Sequence, residues 1–223
     1  MKNQRTILEL VQRLKVMTPD SISTQFDFIG KCQLELNQKE ALLTKNMSVA
    51  RRREFIAGRT IVKRMLQDKG INNFPLLMDS YGCPAWPTGT TGSISHKGSI
   101  CGVLLTDNKC YQSLGFDLEK TESLDQGVWK VFSTSDEINQ AISLGLEEGM
   151  FANMLFSAKE AIFKCLFPIY TNKTPSILKI EIEVKAHKKN HFTFSFSFSG
   201  AIIHGSVATT QDYTISWCSL KYS

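Results

Sequence analysis

Two carboxylates, Asp117 and Glu119, stand two residues apart in Gly115-Phe116-Asp117-Leu118-Glu119, inside an apolar run that begins near Tyr111. In a β-strand, a period of two points both acids to one face and Leu114, Phe116 and Leu118 to the other, toward a core. Adjacent like charges repel unless something positive sits between them, and a hard divalent cation such as Mg²⁺ suits that role. Taken alone, the pair is more simply read as a solvated strand edge. A third acid, Glu160, falls in a helical pattern over residues 147–167. There Phe151, Leu155, Ala158, Ile162 and Cys165 form one face, and Phe156, Glu160, Phe163, Lys164 and Phe167 another. A helix apolar on both sides is central and mostly buried. Glu160 therefore needs a partner, either Lys164 one turn on or a metal.

Cations cluster upstream. Arg51-Arg52-Arg53-Glu54 opens the charged part of a helical pattern over 40–67, whose buried stripe is Phe55, Gly58, Val62, Met65 and Leu66. Arg52 and Arg59, seven apart, nearly superpose along the axis, and Arg51 reaches the same side. Such a concentration repels itself unless it meets acids or a phosphate, which the guanidinium fork fits. An exposed basic face partnered by Glu54 is the plainer account. Residues 89–96, Gly-Thr-Thr-Gly-Ser-Ile-Ser-His, read as a small, hydroxylated turn that suits phosphate contact, with His96 at its end; a lone histidine is as readily a satisfied structural residue. Lys159 and Lys164 are five apart, so they approach any shared ligand from different sides of the helix.

The elements that must hold these groups are legible in outline. The 223 residues fit one large domain or two small, closely packed ones, and 42% hydrophobic with 21% charged content is that of a soluble protein with a real core. A net charge of +5 suits an anionic ligand or acidic partner but is too small to argue for nucleic acid. Six cysteines without metal-ligand spacing read as buried thiols in a reducing cytoplasm. Residues 1–17 form an amphipathic helix pattern rather than a leader, and no run approaches the length of a membrane span, so a cytoplasmic protein is expected. A mixed segment follows over 22–36 with a short strand near Phe26. Residues 70–87 are loop with a short strand near 76–78. A strand over 100–105 leads through a hairpin turn at Asp107-Asn108-Lys109 into the strand bearing the acids. Ser133 or Ser135 is expected to cap a helix near Asp136. The alternation over 178–185, a turn over 186–190, alternate phenylalanines over 192–198, and runs at 202–203 and 213–217 predict a small antiparallel sheet.

Five stretches fall in one order across residues 51–164: R-R-R-E-F-I-A-G-R (51–59), P-A-W-P (84–87), G-S-I-S-H-K (92–97), G-F-D-L-E (115–119) and F-S-A-K-E-A-I-F-K (156–164). Together they resemble the 4′-phosphopantetheinyl transferase superfamily, in its monomeric two-lobed class that includes siderophore-synthesis enzymes. The resemblance implies an α+β fold, a pseudo-twofold pair of similar α/β lobes with small antiparallel sheets. The lobes would be residues 1–117 and 118–223, with coenzyme A in the cleft between them. It implies that Asp117, Glu119 and Glu160 hold Mg²⁺ against the pyrophosphate of coenzyme A. Arg51, Arg59, Ser95 and His96 would bind the nucleotide end, the 3′-phosphate above all. Lys159 and Lys164 would face the pyrophosphate, and with Glu160 they form the implied catalytic set. The implied reaction moves 4′-phosphopantetheine from coenzyme A to a serine hydroxyl of an apo acyl or peptidyl carrier protein and releases adenosine 3′,5′-bisphosphate. Glu160 or a metal-bound water would take the serine proton. The chain departs from the pattern at Met78, where a basic residue is common, and at Phe116 and Phe156, where other apolar residues are usual; both are expected to repack without loss of activity.

A competing reading, from Arg51–Arg53 and the +5 charge, is a non-catalytic module binding a nucleotide, coenzyme A or nucleic acid. Such a module shows steep salt dependence and no metal requirement. Three acids at the same site would repel a polyanion unless metal-bound, which favours the transferase.

Overall fold

The structure, a computed structural model, describes residues 2–32, 36–188 and 190–222. Met1, part of the mixed segment over 22–36 and one residue of the expected 186–190 turn lie outside the described residues. Helix α1 (Lys2–Met17) buries Leu10, Leu14 and Met17 at three- and four-residue steps. Strand β1 (Ser23–Phe28) follows, then α2 (Gln38–Leu43) and α3 (Val49–Asp68). The single helix expected over 40–67 is two helices because two caps start them separately. Asn37 and Glu40 form a reciprocal capping box on α2, and the Ser48 hydroxyl accepts from the Arg51 amide at 3.2 Å on α3. The buried stripe of α3 is as the spacing predicts, with Phe55, Val62, Met65 and Leu66 all buried.

Residues 90–97 are not a turn but strand β2 (Thr90–Lys97), paired antiparallel with β3 (Ile100–Asp107) from Thr90–Asp107 to Lys97–Ile100. The turn sits at Gly98, where a φ of +61° suits glycine. Near 76–78 there is no strand, only an isolated bridge between Met78 and Pro84. Residues 107–109 do not close a hairpin either. They carry the chain from one sheet, ordered β1-β3-β2, to a second, whose first strand is β4 (Tyr111–Lys120). The expected boundary after residue 117 falls inside β4, whereas the sheets themselves divide at this connection.

After β4 come α4 (Gln126–Trp129), α5 (Ser135–Ser143) and α6 (Glu148–Tyr170), then β5 (Glu183–Lys188), β6 (His191–Phe198), β7 (Ala201–Thr209) and β8 (Tyr213–Lys221). The second sheet is ordered β4-β8-β7-β6-β5, antiparallel throughout. The cap of α5 is Thr134 rather than Ser133 or Ser135, because its hydroxyl accepts from the Glu137 amide while the Glu137 carboxylate accepts from the Thr134 amide. The strand expected over 178–185 starts late. Residues 177–179 form a 3₁₀ turn, and the buried Ile182 gives its amide to the Glu137 carboxylate at 3.0 Å instead of to a neighbouring strand. Burial produced the alternation there without sheet pairing. Among the described residues, no helix is long and apolar enough to cross a membrane.

Each sheet carries one long helix, and three apolar clusters result. Helix α3 packs Ala57, Ile61 and Leu66 on Cys101, Val103 and Leu105 of β3. Helix α6 packs Phe151, Leu155 and Ile162 on Phe192, Phe194 and Val207. The third cluster joins the lobes: Leu10 and Leu14 of α1 meet Phe26, Ile100 and Leu104 of the first sheet and Leu114, Phe116 and Leu118 of the second. The apolar face predicted for β4 is thus buried, and Phe116 meets Phe26 edge-on at 5.9 Å.

Where the sheets meet, β4 runs alongside β2 without a continuous backbone ladder. The Phe116 amide donates to the Ser93 hydroxyl at 3.1 Å and the Leu118 amide to the Ser95 hydroxyl at 3.3 Å. On its other face β4 presses against α6 at Gly115. A Cβ at this position would stand 1.9 Å from the Ala161 carbonyl oxygen, so only glycine permits the approach.

Helix α6 is also tied to α5. The fully buried Lys159 ammonium donates to the Phe132 carbonyl at 2.6 Å and to the Glu137 carboxylate at 2.9 Å. Removing one partner strands the other charge in the core, so Lys159→Ala and Glu137→Ala should each lose about 3–5 kcal/mol. Urea melts of the two single variants and the double variant check this, with a double loss well below the sum of the singles; an additive result would refute the pairing.

Candidate functional site

The three acids singled out by sequence, with Lys164, Arg51 and His96, converge on the seam between the sheets. Asp117 is 3% exposed, and its Oδ1 accepts from the Lys164 ammonium at 2.6 Å and the Ser95 hydroxyl at 3.1 Å. Its Oδ2 accepts from Ser157 of α6 at 2.9 Å. Two residues on, Glu119 shares the α6-facing side of β4, as the period of two predicts, and pairs with the Lys97 ammonium at 2.5 Å. Glu160 reaches the same locality from α6. Burial first, and then the fields of Asp117 and Glu119, push its carboxyl above the ordinary value of 4.5, while Lys164 opposes them. A carboxyl raised in this way is easily tuned by any cation that arrives.

Three carboxylates are the right donor chemistry for a hard cation such as Mg²⁺. Among the described residues, however, no three His, Cys, Asp or Glu side chains already stand in a metal-holding arrangement. Lys164 and Lys97 instead pair with the carboxylates of Asp117 and Glu119. The donor chemistry suits such an ion, and a cation entering at Asp117 or Glu119 would have to displace an ammonium.

Beside the acids, Arg51 and His96 meet at 2.6 Å, with Glu54 at 3.3 Å from the arginine and 3.5 Å from the histidine. A guanidinium can only donate, so Nε2 of His96 accepts and the ring is neutral. Burial, the largest cause, lowers the His96 pKa from 6.5; Arg51 and Lys164 act in the same direction, and Glu54 opposes them.

Two sequence-singled cations lie apart from this group. Lys159 points to the opposite side of α6, into its buried pair with Glu137. Arg59 is buried, stacks 4.0 Å from the Phe55 ring centroid, and gives its Nε–H to the Leu76 carbonyl at 2.9 Å. Burial pulls its guanidinium down to about 10, so it stays charged at neutral pH. It borders a cavity of about 300 Å³ with Glu40, Lys63 and Asn73.

Two clefts flank the acids. One, about 260 Å³, lies between the lobes and is lined by Tyr81, Trp86, Ser93, Phe163, Lys164 and Phe167. The other, about 550 Å³ and largely apolar, starts at Lys97 and Glu119 and runs past Leu124, Val128, Phe132 and Phe156. Phe156 is therefore half-buried at a groove, packed 5.3 Å from Phe132, rather than in the core.

A family model described as the 4′-phosphopantetheinyl transferase N-terminal domain matches residues 38–106, and one described as the 4′-phosphopantetheinyl transferase superfamily matches residues 113–218. The chain belongs to the 4′-phosphopantetheinyl transferase superfamily. The matched segments contain both halves of the site and divide at the connection between the two sheets. The 4′-phosphopantetheinyl transferase PptT of Mycobacterium tuberculosis is 31% identical over 134 residues, 59% of this chain and 58% of the relative. The 4′-phosphopantetheinyl transferase Svp of Streptomyces mobaraensis is 31% identical over 118 residues, 52% of this chain and 48% of the relative. Enterobactin synthase component D of Salmonella typhi is 32% identical over 118 residues, covering 51% and 47%. The chain spans about half the length of the curated relatives it matches.

Within this superfamily member, sequence reasoning passed over Lys97, Ser93 and Ser157 as site residues. Their signal was weak: Ser157 is a hydroxyl on the otherwise apolar buried face of α6, and Ser93 and Lys97 flank Ser95 at a spacing of two that shows its meaning only once β2 is a strand. Glu54 was legible only as a neighbour of Arg51. The charge balance around His96 is measurable. In the free protein its ring should titrate below 6.5, the ordinary value. Glu54→Gln should lower it further, since the carboxylate favours the charged form. A histidine NMR titration reads both, and a rise in Glu54→Gln would contradict the arrangement described.

Proposed function

We propose that the protein transfers 4′-phosphopantetheine from coenzyme A to a serine hydroxyl of a carrier protein, with Mg²⁺ at the acid cluster. The observation that supports this most directly is the meeting of Asp117, Glu160 and Lys164 at the seam beside Arg51 and His96. Those groups together suit a pyrophosphate and a terminal phosphate on one ligand.

In this reading the aromatic cleft at Tyr81 and Trp86 takes the nucleoside end, and Arg51 and His96 take the 3′-phosphate. A phosphate there favours the charged imidazole, so nucleotide affinity rises as pH falls toward the lowered pKa of the free ring. The apolar groove beyond Glu119 takes the pantetheine arm and the approaching carrier serine. Asp117, Glu119 and Glu160 would hold Mg²⁺, which supplies charge neutralisation for the transferring phosphoryl group. Lys164, released from Asp117, donates to phosphate oxygens where negative charge develops. The serine oxygen attacks the β-phosphorus, a new P–O bond forms, and the bond to the adenosine bisphosphate oxygen breaks. Glu160 takes the serine proton. Ser95 and Ser157 fix the Asp117 carboxylate throughout, and Lys159 keeps α6 seated on α5 rather than touching the ligand.

Mass spectrometry of apo acyl and peptidyl carrier proteins incubated with the protein, coenzyme A and Mg²⁺ tests the proposal. The expected result is a gain of one phosphopantetheine on the carrier serine. Glu160→Gln should slow labelling by about 10²–10⁴-fold with unchanged thermal melting, and Asp117→Ala should abolish it. Undiminished labelling in either variant removes the site assignment. Binding of nucleotide with steep salt dependence and no labelling would favour the non-catalytic module instead.

A further inference from the structure

Lys97 is the cation at the site that the proposed transfer does not use. It is the third rung of a side-chain ladder on β2: Ser93 meets the Phe116 amide, Ser95 meets the Leu118 amide and Asp117, and Lys97 meets Glu119. The strand's period of two therefore aims Lys97 at the second acid of β4 as it aims Ser95 at the first.

The two acids are held differently. Asp117 keeps hydroxyl donors from Ser95 and Ser157 whether or not Lys164 stays with it. For Glu119 the described contact is the Lys97 ammonium at 2.5 Å. The Lys97 side chain is 42% exposed against 29% for Lys164, and it stands at the mouth of the apolar groove, so it can leave Glu119 for solvent without unfolding anything.

We propose that Lys97 is an internal counter-cation that occupies Glu119 in the metal-free protein and sets how tightly the acid cluster takes a divalent cation. The inference rests on the reading of Asp117, Glu119 and Glu160 as metal ligands. Metal entry at Glu119 requires the ammonium to move off the carboxylate. Once displaced, the ammonium remains close enough to repel a divalent charge. Both effects weaken metal binding, so they add. Lys97 is thus a positioning residue: it tunes the acid cluster through Glu119.

The test reads metal binding directly, on the full chain, with Mn²⁺ alone as the probe and coenzyme A absent. Electron paramagnetic resonance counts free Mn²⁺ in titrations of the wild type, Lys97→Met, Lys97→Arg and Glu119→Gln. Lys97→Met keeps the stem length and removes the charge, and should bind Mn²⁺ about three- to tenfold tighter. Lys97→Arg should bind no tighter than the wild type, and Glu119→Gln should bind more weakly. Thermal melting of each variant verifies that it is folded. Equal affinity in Lys97→Met and the wild type, with weakening in Glu119→Gln, overturns the role of Lys97 and leaves the metal reading standing. Tightening in Lys97→Arg as well overturns the charge argument. The absence of a saturable Mn²⁺ site in both the wild type and Lys97→Met overturns the metal reading and this inference with it.

Discussion

The seam between β2 and β4 is the constraint on which the rest of the molecule depends. Two sheets meet there, and β4 is bonded along one edge to β8. On the other edge its Phe116 and Leu118 amides reach serine hydroxyls of β2. Unpaired buried amides are costly, so the hydroxyls are needed simply to close the interface. A hydroxyl that accepts from an amide still has a proton to give, and Ser95 gives it to Asp117. The joint between the lobes and the first acid of the site are therefore one hydrogen-bonded unit.

Charge placement follows from the same seam. Helix α6 carries two lysines five positions apart, and the helical period sends them to opposite sides. Lys164 turns to β4 and is part-exposed; Lys159 turns to α5 and is fully enclosed. Glu137 gathers that second side, accepting from Lys159, Ile182 and Thr134 at once. One helix thus has a wet, adjustable face over the acids and a dry, fixed face behind them.

What was legible in the sequence was local and periodic. The alternation around Asp117, the two faces of α6, the stripe of α3 and the phenylalanine strand β6 all repeat within a few residues, and each holds in the structure. Composition misled at 90–97, where glycine, serine and threonine read as a turn; they form a strand because its hydroxyls must serve a neighbour that the sequence does not reveal. The alternation over 178–185 misled in the opposite sense, since Glu137 supplies the hydrogen bond that a partner strand would have supplied. The break in the 40–67 helix is a matter of two competing caps, Asn37 and Ser48, whose effect depends on backbone geometry. The pairs Lys97–Glu119 and Lys159–Glu137 join residues 22 positions apart in sequence, and no short-range pattern encodes them.

Gly115 carries a consequence of a different kind. Its missing side chain lets the strand that bears Asp117 and Glu119 lie directly on the helix turn that bears Glu160 and Lys164. The gap between strand and helix acts as a machinist's clearance, with a single hydrogen as the spacer. A methyl group there would act as a shim, lifting the helix-borne acid and lysine away from the strand-borne acids without removing any chemically active side chain. The reach of the site across its two supports is thus set by a residue that has no functional group at all.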